Sequence, residues 1–168
     1  MNWIQKMKII ILILLFCFKL SAQDLSKINQ RMKSDQYIVL VDFSKHIDSV
    51  RFWVYSISKH KIILASICSH GINSGNDFAY KLSNKPNTNK SSIGNFLITY
   101  SYVGNYGKSW ALKGLDNTNS NAEKRKIIIH SSKKMRTKWS WGCFSIPQPM
   151  MERLNALNLS NCHLIAYK

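Results

Sequence analysis

The sequence predicts one mainly β domain of the α+β class, a β-sandwich or barrel with one or two short peripheral helices. Short runs rich in β-branched and aromatic residues recur along most of the chain, separated by polar gaps. Two longer polar stretches, residues 71–92 and 115–123, have the Asn, Gly and Ser content of loops. The chain has 168 residues and 45% hydrophobic residues, with no internal repeat and no linker, so it can build a single core.

The individual elements follow from the same patterns. Seven strands are predicted, at Tyr37–Phe43, Arg51–Ile57, Lys61–Cys68, Gly94–Tyr102, Ser109–Leu112, Lys126–His130 and Cys162–Tyr167. Helical spacing of apolar residues predicts a helix over Asp24–Lys33. A second helix is predicted over Pro149–Leu157, because a proline opens it and apolar residues then fall on one face.

The first 22 residues have the layout of a secretory signal peptide. Lys6 and Lys8 precede the apolar run Ile9–Phe18, and small residues follow at Ser21 and Ala22. The run is shorter than the ~20 apolar residues that a membrane span needs. We therefore expect residues 1–22 to be a signal peptide and residues 23–168 to be a single exported domain, periplasmic or in the cell envelope. A short uncleaved N-terminal anchor is the alternative.

The chain has a large positive net charge, which favours binding to anionic partners. Removing residues 1–22 takes away three lysines and no acid, which lowers the net charge from +16 to +13. Nucleic acid is the usual partner of such a protein in the cytosol, but export opposes it and no segment resembles a nucleic-acid-binding motif. Peptidoglycan stems with carboxylates, anionic envelope polymers or a membrane surface are the expected partners. A lysine-rich solvated surface without a single partner is the alternative.

Cysteine usage points to a chemical role for one thiol. The predicted mature chain keeps Cys68, Cys143 and Cys162, an odd number in an oxidising compartment. Cys143 follows Gly142, which permits an unusual turn and a close approach of substrate. His130 ends the apolar run of residues 127–129, and four basic residues lie in the loop between the histidine and the cysteine. Cations and an imidazole beside a thiol favour the reactive thiolate, so the sequence predicts a nucleophilic cysteine with a histidine base.

Four segments in order carry a family resemblance. They are His130-Ser131 with Ser140-Trp141-Gly142-Cys143, Ser69-His70-Gly71-Ile72-Asn73-Ser74-Gly75, Lys90-Ser91-Ser92-Ile93-Gly94, and Ala111-Leu112-Lys113-Gly114-Leu115. Together they resemble the L,D-transpeptidases of bacterial cell walls, and in particular the branch described as murein L,D-transpeptidase catalytic-domain-like. The resemblance covers residues 37–157.

The resemblance implies the L,D-transpeptidase-like β fold and a cysteine acyl transfer without a cofactor or metal. It implies that Cys143 attacks a tetrapeptide stem, that D-alanine leaves and that a neighbouring stem amine accepts the acyl group to give a 3–3 cross-link, with His130 as the base. Water as acceptor would give an L,D-carboxypeptidase, and loss of activity would leave a wall-binding protein. The implied oxyanion hole consists of the backbone N–H groups of Gly142, Cys143 and Trp141.

The implied substrate-binding residues are His70, Ser140, Ser131 and Arg136. Ser131 stands where a glycine commonly follows the histidine. Arg136 is a candidate for the carboxylate-binding cation, because Phe144-Ser145 stands where the wider family often has an apolar residue and an arginine.

Three alternatives stay open from the residues alone. His70 could line the site or be a loop histidine that bonds to backbone. Cys162 could form a disulfide with Cys68, or neither could pair. A zinc site using Cys68, His70, His130 and Cys143 is disfavoured, because the Cys-x-His spacing is not a usual metal clamp and no Cys-x-x-Cys pair exists.

Overall fold

The computed structural model describes residues 37–132 and 139–168. The predicted signal peptide, the predicted helix over Asp24–Lys33 and Arg136 lie outside these residues. Among the described residues, no helix has the length and apolar content to cross a membrane.

The described chain is mainly β, as predicted. The strands are β1 (Tyr37–Asp42), β2 (Phe52–Ser56), β3 (Lys61–Ser66), β4 (His70–Gly71), β5 (Gly94–Gly104), β6 (Gly107–Gly114), β7 (Ile128–Ser132), β8 (Trp139–Ser140), β9 (Phe144–Pro147) and β10 (His163–Tyr167). A single 3₁₀ turn spans Ile72–Ser74, and the α-helix α1 spans Gln148–Asn155.

Eight strands form one mixed sheet in the order β3-β2-β1-β10-β5-β6-β7-β9, and β4 pairs with β8 separately. The pairs β1–β10 and β7–β9 are parallel, and the other pairs in the large sheet are antiparallel. Helix α1 packs against β3, β7 and β9, so it bridges the two edges of the strongly curved sheet. The mainly β, barrel-like fold with short helices predicted from the sequence is confirmed.

The core explains why the strands form where they do. Val39, Val54, Phe96, Ile129 and Phe144 are each no more than 1% exposed and belong to one hydrophobic cluster. Burial of such side chains supplies the main driving force for folding. In α1 the buried residues are Met151 and Leu154, three positions apart on one helical face.

The predicted boundaries shift where backbone geometry intervenes. The strand before His130 begins at Ile128 and not at Lys126, because Lys126 has a left-handed φ of 54° that ends a turn. Strands β5 and β6 extend to Gly104 and Gly107 and close a tight hairpin. Strands β4, β8 and β9 were not predicted, because two have only two residues and β9 directly follows the turn at the cysteine.

Candidate active site

Parallel pairing brings Cys143 and His130 together. His130 on β7 lies opposite Ser145 on β9, and Ile129 lies opposite Phe144. Extending this register by one residue places Cys143 opposite Ile128. Side chains two positions apart in a strand share a face, so Cys143 and His130 are diagonal neighbours on one side of the sheet. Both line the same cleft, which has a volume of about 750 Å³.

The imidazole of His130 is held in a defined tautomer. The ring is 7% exposed, and Nδ1 lies 2.9 Å from the carbonyl oxygen of Ser131. Because a carbonyl only accepts hydrogen bonds, Nδ1 carries the proton and the neutral ring keeps an unprotonated Nε2. Burial lowers the pKa of His130, and the bond to the Ser131 carbonyl partly opposes that effect. The ring is therefore a neutral base at neutral pH.

The thiol of Cys143 is also held in its neutral form. Its Sγ lies 3.7 Å from the backbone oxygen of Lys126, so the S–H donates a weak hydrogen bond. Burial raises the pKa of Cys143, while the backbone of Ile128 and the charge of Arg125 act in the opposite direction. Burial thus favours a neutral thiol and a neutral imidazole in the lining of one cleft. Such a pair can transfer its proton when the sulfur attacks, since no thiolate–imidazolium pair needs to exist beforehand.

The turn that presents Cys143 is built by Ser140 and Gly142. Ser140 Oγ donates to the carbonyl of Cys143 at 2.7 Å and accepts from the Gly142 N–H at 3.1 Å. Gly142 has a φ of +112°, and a Cβ added there would meet the backbone oxygen of Lys90 at 2.8 Å. Only glycine fits this backbone without strain. Ser140 therefore shapes the turn. Trp141 lies on the rim of the cleft with 76% exposure.

The Ser69–Gly75 segment is hydrogen-bonded to the segment that carries Cys143. Strand β4 pairs with β8, so that Gly71 lies opposite Ser140. Ser69 and Ser145 are joined twice, by the Ser69 N–H to the Ser145 carbonyl at 2.9 Å and by the Ser145 N–H to Ser69 Oγ at 3.2 Å. These hydrogen bonds tie β9, the strand that follows Cys143, to the Ser69–Gly75 segment.

The structure does not bring His70 into the cleft. The residue is fully buried, and its Nδ1 accepts from Arg51 Nη2 at 3.1 Å. Its Nε2 then donates to the carbonyl of Gly75 at 2.9 Å. Burial lowers the pKa of His70, so the ring is neutral with both nitrogens engaged. Of the two roles that the sequence left open for His70, the structure favours the histidine that bonds to backbone.

The other predicted substrate-binding residues fare differently. Ser131 is 1% exposed and lies in the cleft wall, where its hydroxyl donates to the carbonyl of Tyr106 at 2.8 Å. Ser140 also lies in the cleft wall. Arg136 belongs to the part of the chain outside the described residues, so its role stays a prediction.

Arg125 is a cation of the site that the sequence did not single out. Its Nη1 donates to the carbonyl of Ser83 at 2.8 Å and its Nη2 to the carbonyl of Lys90, which fixes the guanidinium in the cleft wall beside Cys143. It is one of three consecutive basic residues at positions 124–126, separated from the start of β7 by Ile127. This basic cluster could have indicated a cation near the site. The sequence pattern does not say which of the three side chains lies near the Cys143 thiol.

Tyr102 and Tyr106 were also missed. They come from the end of β5 and the β5–β6 turn, and both line the cleft. The Tyr106 ring lies against His130, with centroids 4.2 Å apart and planes tilted by 35°. Alternating aromatic residues after position 99 indicate a strand. Only the pairing of β5 with β6 places the end of this strand and the turn that follows it at the cleft.

The remaining cysteines lie away from this chemistry. Cys68 and Cys162 are buried, and no disulfide joins any of the three cysteines in the described residues. Burial raises the pKa of Cys68 to about 12, which leaves it an inert thiol. In residues 37–132 and 139–168, no group of three or more His, Cys, Asp or Glu side chains is arranged to hold a metal ion.

Comparison with solved structures supports the fold. The chain is similar to the Ldtfm–avibactam carbamoyl enzyme, with 14% identity, a TM-score of 0.52 and coverage of 80% of this chain and 50% of that one. It is similar to Bd1075 from Bdellovibrio bacteriovorus, with 14% identity, a TM-score of 0.52 and coverage of 79% and 48%. An L,D-transpeptidase from Enterococcus faecium, solved as a cysteine-to-serine mutant, gives 14% identity, a TM-score of 0.50 and coverage of 79% and 50%. The chain thus spans about half the length of these proteins.

Sequence comparison identifies the family. A search among curated proteins finds no significant match. A family profile described as L,D-transpeptidase catalytic domain matches residues 13–167, which is nearly the whole chain. The match includes the cleft on strands β7 and β9 and the segments that support it. The chain belongs to the L,D-transpeptidase catalytic domain family.

Proposed function

We propose that this chain is an exported cysteine acyltransferase that acts on peptidoglycan stem peptides, forming 3–3 cross-links with release of D-alanine. The observation that carries the proposal is that the parallel register of β7 and β9 puts His130 and Cys143, the residue just before β9, in the lining of one cleft. A fixed imidazole tautomer that leaves Nε2 free to accept a proton, in the same cleft as a thiol, suits general-base activation of the nucleophile.

The first half-reaction consumes the donor stem. Cys143 Sγ bonds to the carbonyl carbon that precedes the terminal D-alanine, while His130 Nε2 takes the thiol proton. The carbon–nitrogen bond then breaks, and the imidazolium returns that proton to the leaving D-alanine amine. A thioester on Cys143 remains, and no redox change or cofactor is needed.

The second half-reaction releases the acyl group. A side-chain amine of a neighbouring stem attacks the thioester and gives a proton to His130, and the sulfur leaves and regains a proton. Water in place of the amine would give the carboxypeptidase outcome. The tetrahedral oxyanion would be held by backbone N–H groups of residues 141–143. Because the Gly142 N–H already donates to Ser140 Oγ, we expect the amides of Trp141 and Cys143 to serve as the donors.

The charges of the cleft suit a carboxylate substrate. Arg125 and Lys126 both lie in its wall, and Arg125 is held there by two backbone carbonyls. Stem peptides end in a carboxylate, which such cations attract. The high net charge of the chain would also favour association with anionic envelope polymers or a membrane surface.

Mass spectrometry with tetrapeptide-bearing muropeptides tests the function. Protein purified from cells that express the whole chain should form a covalent acyl adduct on Cys143, release D-alanine and produce 3–3 dimers. Cys143→Ala should abolish all three while leaving the thermal unfolding midpoint nearly unchanged. His130→Asn should slow adduct formation by about 10²- to 10⁴-fold, because a general base is lost.

The other outcomes separate the alternatives. Release of D-alanine without dimers would identify a carboxypeptidase. Binding of muropeptides that is equal in the wild type and Cys143→Ala, with no adduct in either, would identify a wall-binding protein and overturn the proposal.

Export has a separate test. Intact mass and N-terminal sequencing of the protein from the cell envelope fraction should give a chain that starts near Gln23. A chain that retains residues 1–22 in the cytoplasm would contradict export but would leave the chemistry of Cys143 untouched.

A further inference from the structure

Ser131 makes two hydrogen bonds in opposite directions. Its backbone carbonyl accepts from Nδ1 of His130 at 2.9 Å, and its hydroxyl donates to the backbone carbonyl of Tyr106 at 2.8 Å. The residue is only 1% exposed, so solvent has little access to compete for these bonds. One buried residue therefore connects the imidazole to the β5–β6 turn.

That turn delivers an aromatic ring to the imidazole. Gly104 pairs with Gly107, so Tyr106 is part of the tight connection between the two strands. Its ring centroid lies 4.2 Å from that of His130. Tyr106 remains 45% exposed, whereas His130 is 7% exposed, so the phenol ring contributes to the burial of the imidazole while it is itself partly in solvent.

We propose that Ser131 and Tyr106 are a positioning pair for the base: the Ser131 hydroxyl anchors the β5–β6 turn, and the anchored Tyr106 ring covers His130 and holds its orientation. This role rests on the proposed function, in which His130 is the base. A glycine at position 131 could supply the carbonyl that accepts from His130 but not the hydroxyl. The hydrogen bond to the Tyr106 carbonyl therefore depends on the serine side chain.

The surroundings of His130 set the expected electrostatic effect. Among the residues that the structure describes, the titratable or charged groups that share its cleft are Tyr102, Tyr106, Arg125, Lys126 and Cys143. On the other face of the sheet, Ile129 and Phe144 are buried and apolar. Burial is the largest cause of the lowered pKa of His130, and the Tyr106 ring supplies part of that burial. Loss of the ring should therefore raise the pKa of His130 toward its ordinary value of about 6.5.

NMR of the His130 ring protons in the whole protein gives a readout that needs no turnover. A tyrosine ring at this distance shifts those protons through its ring current. Tyr106→Ala and Ser131→Ala should each remove that shift and raise the pKa of His130. Tyr106→Phe keeps the ring and should retain both the shift and the pKa of the wild type. Because Tyr106 is exposed in a turn, its variants should keep the fold, and backbone amide spectra would check this.

A double mutant decides whether Ser131 acts through the ring. In the Tyr106→Ala background, Ser131→Ala should cause no further change in the His130 signals. Unchanged His130 signals in either single alanine variant would overturn the proposal. So would a Ser131→Ala effect of equal size with and without the Tyr106 ring.

The same variants keep this proposal separate from the proposed function. If the enzyme turns over stems, Tyr106→Ala should lower kcat and move the acid limb of the pH profile to higher pH, and Tyr106→Phe should restore both. If the protein has no transferase activity, the NMR measurements still test whether Ser131 and Tyr106 hold the His130 ring in place.

Discussion

Burial favours the neutral form of both Cys143 and His130. It raises the pKa of the thiol and lowers the pKa of the imidazole. The imidazole can accept a proton only when it is neutral, so the proposed transferase activity should persist to a pH below the ordinary histidine pKa of about 6.5 before it falls. The thiol needs help to ionise, and the described cation that favours its thiolate is Arg125.

Arg125 gives a prediction at the residue scale. Arg125→Gln should raise the pKa of Cys143, because the guanidinium charge is one of the groups that lower it. The pH profile of Cys143 alkylation by iodoacetamide should move to higher pH, with a rate at pH 7.5 lower on the order of several-fold.

Arg125→Lys is the matched control for that experiment, since it keeps the charge and loses the fork that binds two carbonyls. Its profile should lie between those of the wild type and Arg125→Gln. If Arg125→Gln reacts with the wild-type profile, the charge of Arg125 has no part in activating the thiol.

At the scale of elements, the turn between β8 and β9 determines where the thiol points. Ser140 closes it through two hydrogen bonds, and Gly142 crosses it in a conformation that L side chains rarely adopt. Arg125 Nη2 and the Lys90 carbonyl oxygen each lie 2.8 Å from the position that a Cβ of residue 142 would take, which is too close for an ordinary contact. The turn is therefore held both by its own bonds and by contact with neighbouring segments.

Gly142→Ala tests this turn. The substitution should destabilise the protein by about 2–4 kcal/mol, because it adds a steric contact to an unfavourable φ. Urea unfolding would measure the free energy, and the alkylation rate of Cys143 would report displacement of the thiol.

Gly107→Ala separates the two causes. Gly107 also has a positive φ, of 75°, but a Cβ there would meet nothing within 4 Å. It should cost only about 1 kcal/mol, from the backbone conformation alone. Equal costs at the two positions would mean that the contacts around Gly142 do not constrain the turn.

At the scale of the whole molecule, two buried histidines link stability to pH. His70 and His130 have lowered pKa values in the folded state, with burial as the largest cause. Between those folded values and the unfolded value of about 6.5, the unfolded chain binds more protons than the folded chain. Their contribution to stability is therefore complete above about pH 6.5 and is lost as the pH falls toward the folded values.

The slope of stability against pH gives the measurement. The free energy of unfolding, measured by urea titration between pH 5 and pH 7, should fall toward acid by up to about 1.4 kcal/mol per pH unit for each histidine. His70→Asn removes the titrating ring and keeps an oxygen that can accept from Arg51, so it should reduce that slope. An unchanged slope in His70→Asn would show that this histidine is not held neutral by the fold.

The fold class could be predicted from the sequence, and so could the candidate pair Cys143 and His130, whose catalytic role stays a prediction. Strand composition, loop composition and the apolar run before His130 are local signals that record which residues are buried and which face solvent. Gly142 before Cys143 is also a local signal, since the need for a positive φ is met by glycine almost alone. These features lie within short segments, so no knowledge of distant contacts is required to recognise them.

The assembly of the site was decided by tertiary structure alone. The register of β7 against β9 places His130 and Cys143 on one face, pairing with β6 carries Tyr106 to the imidazole, and two distant carbonyls fix Arg125 beside the thiol. His70 matches its motif as well as any residue, yet it lies outside the lining of the cleft, buried and bonded to Arg51 and to the Gly75 carbonyl. The physical reason is that registers, distant hydrogen bonds and desolvation arise only when segments far apart in sequence pack together, whereas local residue patterns encode burial and backbone conformation.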